Sequence, residues 1–171
     1  SRAAAPPRRG NGGEETTASR GAVVARADAL ADTAPSGPAS VAVVAVSGLD
    51  DVQARLGDAA SEEVLAAVES ALGRRPGAST RRLPAGELVL VLPGATVDEA
   101  EELLSRVQTD LRRTPPYPDA RLSLCAGVSA LPPGGSMRVA LRHAELALWQ
   151  ARRTGDYAVV IATVDRDRPE A

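Results

Sequence analysis

Apolar and polar positions alternate along this chain in two periods, and the switches between them mark its elements. Residues 41–46 are a continuous run of Val and Ala, the pattern of a strand buried on both faces. Gly48 ends that run, residues 49–56 read as a short helix, and Gly57 closes it. Residues 61–72 place Val64, Leu65, Val68 and Leu72 on one helical face and stop at Gly73. Two short strands, 79–83 and 87–92, flank Pro84-Ala85-Gly86 and predict a β-hairpin. Thr96 is an N-cap with Glu99 three residues on, the capping-box spacing. The helix it opens runs to about Arg113, with Ala100, Leu103, Leu104, Val107 and Leu111 inward. Beyond a stiff loop carrying Pro115, Pro116 and Pro118 come a strand over 121–130 and a Pro-Pro-Gly-Gly break. Ser136 then caps a helix reaching Arg153, with Val139, Leu141, Ala144, Leu148 and Ala151 expected inward. Gly155 stops it, and residues 157–164 form a last strand.

Ahead of these elements, residues 18–31 carry Val23, Val24, Ala27 and Leu30 at roughly helical spacing and predict a leading helix. Residues 1–13 are rich in Pro, Gly and Arg without periodicity and read as a disordered tail or linker, as do residues 166–171 at the other end. One domain over residues 14–165 follows. Ser1 in place of Met reads as a trimmed start, with upstream segments expected to be missing. The order after the leading helix is β-α-α-β-β-α-β-α-β. That is an α+β plan: a ferredoxin-like βααββαβ core with an additional C-terminal strand, its mostly antiparallel sheet flanked by helices.

Composition narrows the chemistry. The 171 residues carry a net charge of −2, so no basic surface calls for nucleic acid or an anionic membrane. Aromatics are 2% with no Phe, which leaves no stacking platform for single-stranded bases. All 20 basic residues are Arg, which rules out a Schiff-base or P-loop lysine. No apolar run approaches the ~20 residues of a membrane span, and a cytoplasmic location is expected. Cys125, the one cysteine, falls in the apolar run 122–128 and reads as a buried inert thiol. His143 is the one histidine and cannot anchor a metal cluster alone. Asp50 and Asp51, adjacent on a helix, point about 100° apart and do not converge.

Four motifs, in order, carry a resemblance. Residues 57–65, Gly-Asp-Ala-Ala-Ser-Glu-Glu-Val-Leu, resemble a Gly-His-x-x-Gly-Asp-x-x-Leu segment. Arg82-Leu83-Pro84-Ala85-Gly86-Glu87-Leu88, then Val-Leu-Val-Leu-Pro-Gly, resembles Arg-Tyr-Gly-Gly-Asp-Glu-Phe with its following strand. Residues 123–130 resemble a strand with Ser-x-Gly-Val-Ala, and residues 144–155 resemble Ala-Asp-x-Ala-Leu-Tyr-x-Ala-Lys-x-x-Gly. Over about residues 14–163 the chain is therefore similar to the GGDEF domain of diguanylate cyclases, a nucleotidyl-cyclase-like fold.

The resemblance implies a family chemistry in which two GTP molecules are joined with the help of Mg²⁺. Residue by residue, it implies that this chain lacks the means. The metal-carboxylate positions are Ala45 and Gly86, so no metal site and no cofactor are expected, and no catalytic residue is assigned. Ser47 and Asp50 stand in place of a second aspartate and a lysine. Pro84, Ala85, Gly86, Glu87 and Leu88 form a vestigial signature turn, of which Glu87 alone keeps a carboxylate. Gln53 and Glu62 occupy the guanine-reading positions, each one methylene longer. Arg152 matches a phosphate-handling lysine, while Asp156 replaces its arginine. Arg75 is what remains of an inhibitory Arg-x-x-Asp, with Ala78 at the aspartate. Trp149 fills a tyrosine slot and is expected to anchor the core. Arg74-Arg75 and Arg81-Arg82 make a modest basic cluster.

The implied function is a catalytically inactive regulatory domain in bacterial cyclic di-GMP signalling. It would act by protein interaction or dimerisation, with GTP or cyclic di-GMP as candidate ligands and a second copy or another signalling protein as candidate partner. The alternative is a residual cyclase with metal held by Glu87 and backbone carbonyls. A third is a fold relative with no nucleotide link.

Overall fold

The computed structural model describes residues 35–154 and 156–163. The expected leading helix over 18–31, both tails and Gly155 lie outside them. The described elements are β1 (Ala39–Ser47), α1 (Leu49–Leu56), α2 (Asp58–Leu72), β2 (Ser79–Arg82), β3 (Leu88–Pro93), α3 (Val97–Arg113), β4 (Ser123–Leu131), α4 (Met137–Arg152) and β5 (Ala158–Ile161). Their order is the predicted one.

They build a five-stranded sheet in the order β2-β3-β1-β4-β5, antiparallel except where β5 runs parallel to β4. The apolar run of β1 lies at its centre, paired on both sides. Successive side chains of a strand point to opposite faces. Ala42, Val44, Leu88, Leu90, Leu124 and Ala126 therefore join α2 and α3 in one core cluster. Val41, Val43, Val89, Val91 and Cys125 join α4 in the other. On that second side the helix presents Ala140, Ala144 and Ala151 inward and comes very close to the sheet. At Gly127 a Cβ would stand 1.9 Å from the Ala144 carbonyl oxygen, so the glycine of the Ser-x-Gly-Val motif is a packing requirement.

Local chemistry sets the boundaries. The hydroxyls of Thr96 and Ser136 accept from the N–H groups of Glu99 and Val139, capping α3 and α4 as expected. The capping box is only half made, because the Glu99 carboxylate turns away to Arg75. Helix α2 begins three residues before the predicted start. Gly57, at φ +91°, lets the chain turn from α1 straight into it, and the Ser61 hydroxyl donates to the Asp58 carbonyl inside the first turn. Strand β4 begins at Ser123 rather than Arg121. Two buried polar groups knit the layers together. Ser40 donates to the Ala95 carbonyl at 2.8 Å, and the Gln108 side-chain oxygen accepts the Leu124 N–H at 2.7 Å.

Two inward placements on α4 are corrected. Trp149 is 60% exposed and Val139 46% exposed. The alanine-and-glycine contact leaves no depth for an indole, so Trp149, about 100° round the helix from buried Leu148, lies outside. There the Arg153 guanidinium sits 5.0 Å from the ring centroid.

Candidate functional site

One end of the sheet gathers the residues singled out above. The register sets Val44 opposite Leu88 on one side and Ala126 on the other, so the end of β1, the β2–β3 turn and the start of β4 are neighbours. The turn between β2 and β3 is closed by its own backbone. The Gly86 N–H donates to the Leu83 carbonyl at 3.0 Å, and the Leu83 N–H donates to the Glu87 carbonyl at 2.8 Å. Pro84 occupies the position where its fixed φ suits a turn, and Gly86 takes φ +78°. Together these give a three-residue hairpin loop with a glycine bulge, its polar backbone groups paired within the turn.

Glu87 is the one carboxylate of that turn, and α4 brings its last residue to meet it. Arg152 Nη2 donates to Glu87 Oε1 at 2.7 Å, with the Glu87 side chain 18% exposed. Ala45 is buried opposite Cys125 and contributes only a methyl group; Gly86 contributes no side chain. Ser47 shares a 3.5 Å hydrogen bond with the Cys125 thiol, which also reaches the Asp156 carbonyl oxygen at 3.4 Å. Cys125 is buried, as expected. Among the described residues no group of three or more His, Cys, Asp or Glu side chains is placed to hold a metal ion.

Gln53 and Glu62 are drawn to different partners. Gln53 donates to Asp58 at 2.7 Å. Glu62 accepts from Arg82, which also donates through Nε to Glu69 at 2.8 Å, while Thr80 donates to the second Glu69 oxygen at 3.3 Å. The hydrogen bonds from Glu62 and then Glu69 push the Arg82 pKa further up, fixing the charge of a residue that ties β2 to α2. Asp50 remains exposed in the first turn of α1, where a negative charge favours the helix dipole, and Asp51 pairs with Arg55 at 3.1 Å. His143 is half-buried on α4.

Arg75 lies elsewhere, at the end of α2. It donates to Glu99 at 2.9 Å and borders a groove of about 360 Å³ between α2 and α3. Arg74, Arg106 and Asp110 line the same groove over an apolar floor of Leu103 and Val107. Arg106 and Asp110 were not singled out from sequence. Their signal was a four-residue spacing on the polar side of α3, shared by many solvated pairs.

The family model for the diguanylate cyclase GGDEF domain matches residues 18–157. The chain belongs to this family. Its fold is similar to the active GGEEF domain of a diguanylate cyclase from Vibrio cholerae, at 23% identity and TM-score 0.68, covering 84% of this chain and 92% of that one. It is similar to the GGDEF domain of DgcB from Caulobacter crescentus, solved with c-di-GMP, at 18% identity and TM-score 0.64, covering 84% and 87%. A third similar structure is the GGDEF domain of PA1120 (YfiN or TpbB) from Pseudomonas aeruginosa, at 18% and 0.64, covering 87% and 96%. No curated protein sequence matches the chain. Within this GGDEF domain, no helix of the described residues is long and apolar enough to cross a membrane.

Proposed function

We propose that this GGDEF domain is catalytically silent and works in bacterial cyclic di-GMP signalling as a regulatory module, through contact with a second copy or another protein. The observation that carries the reading is the Glu87–Arg152 pair. The carboxylate left in the turn and the basic group left on the last helix neutralise each other. A divalent cation such as Mg²⁺ needs several hard oxygen donors in near-octahedral array. The positions that the resemblance assigns to those donors offer a methyl group at Ala45 and a hydrogen at Gly86. These residues do not fit the metal. Losing two such ligands removes several kcal/mol (roughly) of charge stabilisation from phosphoryl transfer. The test is incubation of the protein with GTP and either Mg²⁺ or Mn²⁺. No cyclic di-GMP is expected by mass spectrometry, and its formation would restore the residual-cyclase alternative.

The groove beside Arg75 favours a second, compatible reading, that the domain binds a guanine nucleotide without turning it over. Arginines grip phosphates and stack on bases, and Asp110 supplies a carboxylate on the same groove. Calorimetric titration with cyclic di-GMP should give heat that disappears in Arg75→Ala and Arg106→Ala. A flat titration removes nucleotide binding at this groove and leaves protein contact alone.

A further inference from the structure

Helix α4 has two faces, and among the described residues only one is packed into the fold. The other exposes Val139, Leu146 and Trp149, at 46%, 57% and 60%. At about 100° per residue, positions 139, 142, 146, 149 and 153 fall within one arc of less than a quarter turn. The stripe therefore reads Val, Arg, Leu, Trp, Arg. Both arginines in it are exposed, and no acidic side chain falls in the arc. A helix face on which exposed apolar side chains alternate with charge of a single sign is the arrangement expected of a surface that waits for a partner.

We infer that this outer face of α4 docks an acidic amphipathic helix from a partner protein. Apolar residues of such a helix at heptad spacing meet Val139, Leu146 and Trp149, and its carboxylates meet Arg142 and Arg153. Charge selects this occupant over two others. A second copy packed antiparallel would bring arginine-bearing stripes together, which is repulsive. A lipid surface would receive only three apolar side chains, with two arginines between and beside them, too little buried apolar area for stable anchoring. The inference stands on α4 alone and holds whether or not the turn at Glu87 is silent.

Trp149 is the chain's one tryptophan, so its emission reports directly on this face. The probe is a synthetic helix of about three Leu-Glu heptads, titrated into the full chain. The expected result is a blue shift of Trp149 emission that weakens as salt is raised. Affinity should fall about tenfold or more in Leu146→Glu, with the circular dichroism melt unchanged. A matching Leu-Lys helix should not bind wild type but should bind Arg142→Glu/Arg153→Glu. The inference is overturned if neither peptide shifts the emission, or if both bind wild type equally. It is overturned equally if phosphatidylglycerol vesicles alone produce the shift, which makes the face a lipid contact. A concentration-dependent blue shift without peptide, accompanied by dimer in sedimentation, assigns the face to a second copy instead.

Discussion

Gly127 and Gly86 lie in the same domain under opposite demands. At Gly127 a side chain would run into α4, 1.9 Å from the Ala144 carbonyl oxygen and 2.3 Å from the Leu148 nitrogen, both backbone atoms that cannot step aside. At Gly86 the nearest atom to an added Cβ is Leu49 Cδ2 at 3.8 Å, and only the φ of +78° favours glycine. The first position belongs to the packed scaffold, where sheet and helix share one solution. The second belongs to a self-closed hairpin at the end of the sheet, where backbone conformation alone sets the preference.

The contrast can be broken most sharply at those two glycines. Gly127→Ala should destabilise the domain by about 3 kcal/mol or more, because the overlap forces α4 off β4. Gly86→Ala should cost about 1–2 kcal/mol, the left-handed backbone penalty alone. Urea denaturation of both variants decides it, and equal losses would erase the distinction between scaffold and edge. Comparable to the Gly86 effect is Gln108→Ala, which leaves the buried Leu124 N–H unpaired and should cost about 1–2 kcal/mol in the same assay.

A pH ramp probes the scaffold differently. Burial pushes the Tyr157 phenol up, and the hydrogen bond to Glu63 pushes up that of Tyr117. A group whose folded pKa is raised stabilises the fold below its unfolded value, about 10 for tyrosine, and that stability is lost as pH rises through the folded value. Tyrosinate absorbance should therefore appear later than in free tyrosine, with the melting temperature falling over the same alkaline range. Tyr157→Phe should flatten part of that fall. The smallest effect belongs to the edge. A double-mutant cycle with Glu87→Gln and Arg152→Ala should give a coupling below about 1 kcal/mol, because Arg152 is half exposed and water screens the pair. A much larger coupling would mark the pair as a structural tie between the hairpin and α4.

Much of the scaffold was legible in the sequence because its signals are local. The valine run of β1, the Thr96 and Ser136 caps, and the Pro-Ala-Gly turn each act within a few residues, and each appears where it was read. What escaped depends on neighbours far along the chain. Trp149 is expected in the core only from the tyrosine slot it fills in the resemblance, yet the alanines and Gly127 beneath α4 bring the helix too close for an indole to fit. The partners of Arg82 and Arg75, at Glu69 and Glu99, are set by the crossing of β2 and α3 with α2. Arg106 and Asp110 join Arg75 only once α3 is laid beside α2. The chemistry of Ala45, Gly86 and Glu87 was legible as residue identity; that Glu87 is held by Arg152 was not.

The central claim is that the sheet end formed by Ala45, the Pro84–Glu87 hairpin and Arg152 cannot hold a divalent ion against a triphosphate. Electron paramagnetic resonance of Mn²⁺ with a non-hydrolysable GTP analogue measures this directly. With wild-type protein the Mn²⁺ spectrum should match that of metal and nucleotide alone, while Ala45→Asp/Gly86→Asp should add a protein-bound signal. A bound Mn²⁺ signal from the wild-type chain that is lost in Glu87→Gln would contradict the account.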